Sequence, residues 1–171
     1  QDKKIVVYAG HLYGWKGVDT LLGAAAKLPD MLFVLVGGTP EDIQAYKLKH
    51  GAGTNIMFRG FVPHQRVPLY LSAGDVVALP NSQKEKISSH YTSPLKLFEY
   101  MASGTPIVAS DLPSLREVLS DECAVLVAPD DSESMAQGIR IALTDGARRA
   151  LHAREQVQKY SWAKRAGKIS I

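Results

Sequence analysis

Residues 93–110 read SPLKLFEYMASGTPIVAS, and their types and spacing suit the holding of an anion. Ser93 is a good helix cap, and Pro94 falls at the first helical position, where its missing N–H costs nothing. The free N–H groups of Leu95 and Lys96 then point out of the positive end of the helix dipole, towards a phosphate. Glu99 follows about 7.5 Å further along the axis, placing a carboxylate where it would accept from the hydroxyls of an attached ribose. The plainer reading of a Ser-Pro start is a helix that simply begins cleanly. Glu99 speaks against it, because it follows Phe98 and lies one turn after Leu95, at the border of the apolar face, where a carboxylate needs a partner. Lys16 is a second cation of interest. It stands directly before Gly17 and a helical pattern, within reach of a phosphate, although most lysines are only solvated surface groups.

These residues need a scaffold, and the apolar pattern supplies one. Short apolar runs at 5–9, 32–36, 56–58, 76–79, 107–109 and 124–127 alternate with stretches of helical spacing. Val18, Leu21, Leu22, Ala25 and Leu28 form one such stretch, Val67, Tyr70 and Leu71 another, and Leu95, Phe98 and Ala102 a third. The alternation predicts an α/β, Rossmann-like parallel sheet of about six strands with helices on both faces. Ligands of such sheets bind beyond the carboxyl ends of the strands, in loops that here read GHLYGWKG (10–17), GGTPED (37–42), RGFVPH (59–64) and the long PNSQKEKISSHYTS (80–93).

Composition narrows the classes. With 171 residues, 46% of them hydrophobic, the chain fills one core and is too short for two ordinary domains. The net charge of +3 comes from lysines and arginines late in the chain without interleaved aromatics, so nucleic acid is not an expected partner. The single cysteine, Cys123, excludes an internal disulfide and a multi-thiolate metal site, and its apolar neighbours point to an inert core thiol in a reducing, cytoplasmic compartment. No apolar run is long enough to span a bilayer, and QDKK leads into the first strand without a signal-like segment. Membrane contact is therefore expected to be at most peripheral, on the inner face. No G-x-G-x-x-G, Walker, G-x-S-x-G or metal-ligand pattern occurs. Asp130 and Asp131 read as a loop and a helix cap, not as metal ligands.

AGHLYGWKGVDTLL, LFVLVGG, FRGFVPHQRVPLYLSAGDVVALP, SPLKLFEYMASGTPIVASDLPSLREVL and AVLVAPDD together resemble the C-terminal half of the group 1, or family 4, retaining glycosyltransferases, from about Val6 to Trp162. The resemblance implies the C-terminal domain of a GT-B architecture, with residues 1–171 a single nucleotide-sugar-binding domain and the N-terminal acceptor domain absent from the chain. It implies that His11 and Lys16 grip the donor diphosphate with Ser93, Leu95 and Lys96 at the helix start. Glu99 would hold the ribose, and the loop of Gly60, Phe61, Val62 and Pro63 would bound the base. The implied reaction is sugar transfer from a nucleotide-sugar donor to a sugar, lipid or polysaccharide acceptor with retention of configuration. Lys16 and Glu99 would be its catalytic contributors, with no cofactor and no metal.

Two positions depart from the family pattern. An arginine is usual where this chain has His11, and a histidine makes the diphosphate contact depend on pH. The usual partner of Glu99 is a glutamate eight positions earlier, where this chain has Tyr91. Tyr91 and its neighbour Thr92 would offer the donor sugar only hydroxyls. These departures leave room for a non-catalytic nucleotide-sensing or interaction module. A nucleotide-sugar epimerase half is a further alternative, whereas the missing glycine fingerprint argues against a nicotinamide-dependent oxidoreductase.

Overall fold

A computed structural model describes residues 3–51, 53–85 and 95–160. Strands β1 (Lys4–Ala9), β2 (Met31–Val36), β3 (Ile56–Gly60), β4 (Val76–Leu79), β5 (Ile107–Ser110) and β6 (Val125–Val127) form one parallel sheet in the order β3-β2-β1-β4-β5-β6. Each strand coincides with one of the apolar runs. Runs apolar at every position, such as VVYA and MLFVLV, suit strands covered on both faces. Helices α1 (Val18–Lys27), α2 (Pro40–His50), α3 (Val67–Ala73), α4 (Leu95–Ser103), α5 (Pro113–Arg116) and α6 (Ser132–Val157) connect and cover them.

The pleat divides the core in two. Val6 and Tyr8 of β1 join Phe33, Leu35, Val76 and Ala78 in a layer sealed by α1 and by Met135, Ile139 and Ala142 of α6. Val7 and Ala9 face the opposite way, into a layer with Val34, Val36, Val77, Leu79, Leu97, Tyr100 and Met101. Cys123 is buried in this second layer as a free thiol, as its neighbours predict.

One expected face is rotated. The buried residues of α4 are Leu97, Tyr100 and Met101, whereas Leu95 is 63% exposed and Ala102 is also exposed. Leu95, Phe98 and Ala102 share helical spacing, but the sheet takes the neighbouring stripe, because Tyr100 reaches β1. Its hydroxyl accepts from the Ala9 N–H at 2.7 Å and donates to the Ala9 carbonyl at 3.2 Å. α6 begins at the expected cap: the Asp131 carboxylate accepts from the N–H groups of Glu133 and Ser134. Asp130 accepts from the Gln83 N–H and so ties down the loop after β4.

The strand order reverses beside β1, because β2 and β3 lie on one side of it and β4 to β6 on the other. Parallel sheets of this kind open a crevice at that reversal, beyond the carboxyl ends of the strands. Glycine keeps it open. Gly37 has φ +114°, and a side chain there would strike the carbonyl of Gly10. Gly17 has φ +71°, and a Cβ there would collide with the carbonyl of Pro80, so the loops after β1 and β4 touch backbone to backbone.

Candidate functional site

A cavity of about 640 Å³ occupies the crevice, a size in the usual range for a ligand site. Every strand on the β1 side of the reversal feeds it. Ala9, Gly10 and His11 enter after β1, Val36 to Thr39 after β2, and Gly60, Phe61 and Val62 after β3, while Lys96 and Glu99 reach in from α4. The Gly10 N–H donates to the Val36 carbonyl at 2.9 Å and the Gly37 N–H to the Gly60 carbonyl at 2.7 Å, so the three loops form one floor. Thr39 and Asp42 complete a reciprocal capping box that fixes the start of α2.

The cavity thus brings together His11, Gly60, Phe61, Val62, Lys96 and Glu99 from the residues nominated by sequence. Phe61 is 85% exposed, which leaves its ring face open and suits a flat aromatic ligand. Lys16 stands apart from this wall. Its Nζ lies 3.7 Å from the centroid of the Trp15 ring, and burial pulls its pKa down to about 8. Leu95 does not line the cavity. Ser93, Tyr91 and Thr92 lie outside the described residues.

His11 is exposed, and its ring stacks on Tyr13 with centroids 5.0 Å apart and planes 7° from parallel. Tyr13 in turn stacks on Trp15. The backbone of His11 is pinned from below, where the Tyr8 hydroxyl donates to its carbonyl at 2.5 Å.

Three features escape the sequence reading. Glu99 already has a neighbour, His64, whose Nε2 lies 2.7 Å from Glu99 Oε1. No local pattern announces a pair separated by 35 positions. Tyr100 locks α4 to the end of β1. Lys96 contributes its side chain as well as its backbone. A lysine in the first turn of a helix opposes the dipole, and that was the available signal.

A model of the family described as group 1 glycosyl transferases matches residues 3–145. The chain belongs to the group 1 glycosyl transferases. Over 159 residues it is 33% identical to the phosphatidyl-myo-inositol mannosyltransferase of Mycolicibacterium smegmatis, covering 86% of this chain and 39% of that one. Sucrose-phosphate synthase from Thermosynechococcus elongatus superposes with a TM-score of 0.83 at 30% identity, covering 98% of this chain and 44% of that one. HepE from Anabaena, determined in complex with UDP, has the same fold, with a TM-score of 0.83 at 22% identity over 98% of this chain and 48% of its own. This group 1 domain is the C-terminal half of a GT-B architecture, and it spans less than half the length of these relatives.

Among the described residues, no group of three or more His, Cys, Asp or Glu side chains is placed to hold a metal ion. No described helix is long and apolar enough to cross a membrane.

Proposed function

We propose that this chain is the donor-binding half of a hexosyltransferase that moves a sugar from a nucleotide-sugar donor to a sugar, lipid or polysaccharide acceptor with retention of configuration. The observation that carries the reading is the convergence of His11, Lys96, Glu99 and the 60–62 loop on one cavity at the strand-order reversal. The base lies against Phe61 and Val62, the ribose hydroxyls donate to Glu99, and the diphosphate meets His11, the start of α4 and Lys16, whose ammonium swings from its perch on Trp15. These fixed cationic and N–H groups stabilise the charge that develops on the departing diphosphate, in place of a metal. Tyr91 and Thr92 meet the transferred sugar. The groups that hold the acceptor and flank the anomeric carbon come from an N-terminal domain, so these 171 residues alone bind the donor without turning it over. We place the reaction in the cytoplasm, with at most peripheral membrane contact, on the strength of the lone reduced Cys123.

Thermal unfolding of the chain with UDP, GDP and ADP tests this reading. A ligand that binds only the native state raises the melting temperature by mass action, and UDP, the nucleotide held by HepE, is the first to try. At least one of the three should raise it in a concentration-dependent way. No shift with any of them overturns the assignment.

A further inference from the structure

We propose that the side-chain ammonium of Lys96 is itself a ligand of the diphosphate. This deepens the donor-binding reading and rests on it, since the expectation for Lys96 concerned only its backbone N–H.

The geometry is that of a buried cation without an oxygen acceptor among the described residues. Part of the Lys96 side chain is exposed, but its Nζ is sealed from solvent and has no hydrogen-bond partner among the described residues. Three N–H groups on a buried ammonium are costly to leave unmade. Its visible companion is the face of the Tyr8 ring, 4.4 Å from Nζ to centroid. The Tyr8 hydroxyl is already spent on the His11 carbonyl, and a ring face does not replace an oxygen acceptor.

The charges nearby disfavour this ammonium further. Glu99, on the same helix and the same cavity, is engaged by His64. Lys16 repels Lys96, and burial together with that repulsion pushes the Lys96 pKa well below the ordinary lysine value. The helix dipole acts in the same direction, because Lys96 is the second residue of α4. Burial, a like charge and the dipole all oppose this ammonium, and among the described residues no anion offsets them. A diphosphate beside Lys96 offsets the like charge and the dipole and gives the buried ammonium the oxygen acceptors it lacks.

Lys96 borders the cavity beside Gly10 and His11. A Cβ at Gly10 would stand 3.4 Å from Lys96 Nζ, so the glycine brings the backbone after β1 close to the ammonium. Lys96 feels the charge of Lys16, and a diphosphate, with more than one charged oxygen to offer, suits a site with a second cation nearby.

The test replaces Lys96 by methionine, which keeps the apolar stem and removes the charge. Binding of UDP, GDP, ADP, their nucleosides and inorganic pyrophosphate to the 171-residue chain is measured calorimetrically, alongside thermal unfolding of the empty chain. Lys96→Met should weaken the nucleoside diphosphate and pyrophosphate by roughly 10- to 100-fold, the effect of losing a charge-assisted contact. Nucleoside affinity should stay within about twofold, since an uncharged ligand does not use the ammonium. The empty variant should melt no lower than the parent, and Lys96→Arg should recover part of the pyrophosphate affinity. Unchanged diphosphate and pyrophosphate affinity, or an equal loss for nucleoside and diphosphate, overturns the proposal. A variant that unfolds or melts well below the parent also overturns it, by making Lys96 a structural residue. A parent that binds pyrophosphate in a Lys96-dependent way but none of the nucleotides sinks the donor-binding reading and leaves Lys96 assigned. A parent that binds neither sinks both.

Discussion

His64 Nε2 lies 2.7 Å from Glu99 Oε1, joining the turn after the 60–62 loop to the second turn of α4. The side chain of His64 is 79% exposed and that of Glu99 34% exposed, so the pair adds little to stability. Its effect is on orientation. With Oε1 engaged, the carboxylate is held in one rotamer and Oε2 remains for a ligand hydroxyl. His64→Ala should therefore leave the melting temperature unchanged and weaken nucleotide binding by only about 0.5 kcal/mol, the worth of an exposed pair. A larger loss in calorimetry would mean that His64 touches the ligand directly.

Glu99→Gln removes the charge and keeps the shape. Nucleoside diphosphate affinity should fall by about 1–3 kcal/mol, the difference made by charge-assisted hydrogen bonds to ribose hydroxyls. Pyrophosphate affinity should not move. An undiminished nucleotide affinity in a folded variant would remove Glu99 from the ribose site.

Lys16 gives a pH signature with a definite sign. Its folded-state pKa of about 8 lies below the ordinary lysine value of 10.5, so above about pH 8 the native chain holds fewer protons than the unfolded one. The Lys16 contribution to stability of the empty chain therefore rises with pH between those values. Diphosphate binding runs the other way, because the anion favours the charged lysine. Its dissociation constant should climb as pH rises through about 8, by at most about tenfold per pH unit for one proton. His11 and Lys96 line the neighbouring cavity, so the comparison is with Lys16→Met, in which the Lys16 part of both slopes should vanish. Identical slopes in the two chains would exclude Lys16 from the diphosphate site.

His11 stacks on Tyr13 at the cavity's edge. His11→Arg should tighten nucleotide-sugar binding, since a guanidinium offers phosphate oxygens a permanent charge and a fork of donors. Equal affinity in the two proteins would show that His11 only shapes the rim.

Tyr100→Phe tests the lock between α4 and β1. It strands a buried N–H and weakens the satisfaction of a buried carbonyl at Ala9, a loss of about 1–3 kcal/mol. Chemical denaturation should show this as a lower midpoint with an unchanged slope. Nucleotide binding should weaken as well, because Gly10 and Lys96 lie next to the broken contact in chain and space.

The sheet was legible because its strands are short apolar runs separated by helical patterns, and a fully covered parallel sheet leaves that mark directly in composition. Loops 10–17, 37–42 and 59–64 were legible for the same reason, since each follows a strand. The face that α4 presents was not. Two apolar stripes share its sequence, and the choice between them is made by Tyr100 reaching Ala9 across 91 positions. His64 beside Glu99 and the ammonium of Lys96 over Tyr8 were hidden likewise, because each joins side chains that only the folded sheet brings together.

The bond between Tyr100 and Ala9 also bears on the order in which the molecule comes into being. β1 is near the beginning of the chain and central in the sheet, and its neighbour β4 is drawn from 70 positions later. Contacts so distant in sequence are costly to close and form slowly. During synthesis, the glycine loops after β1, β2 and β3 leave the ribosome well before α4, which brings Lys96, Glu99 and the anchor for Ala9. A nascent chain ending before residue 95 thus carries the glycine floor of the cavity without the helix that closes it, and the crevice is complete only once α4 has docked on β1.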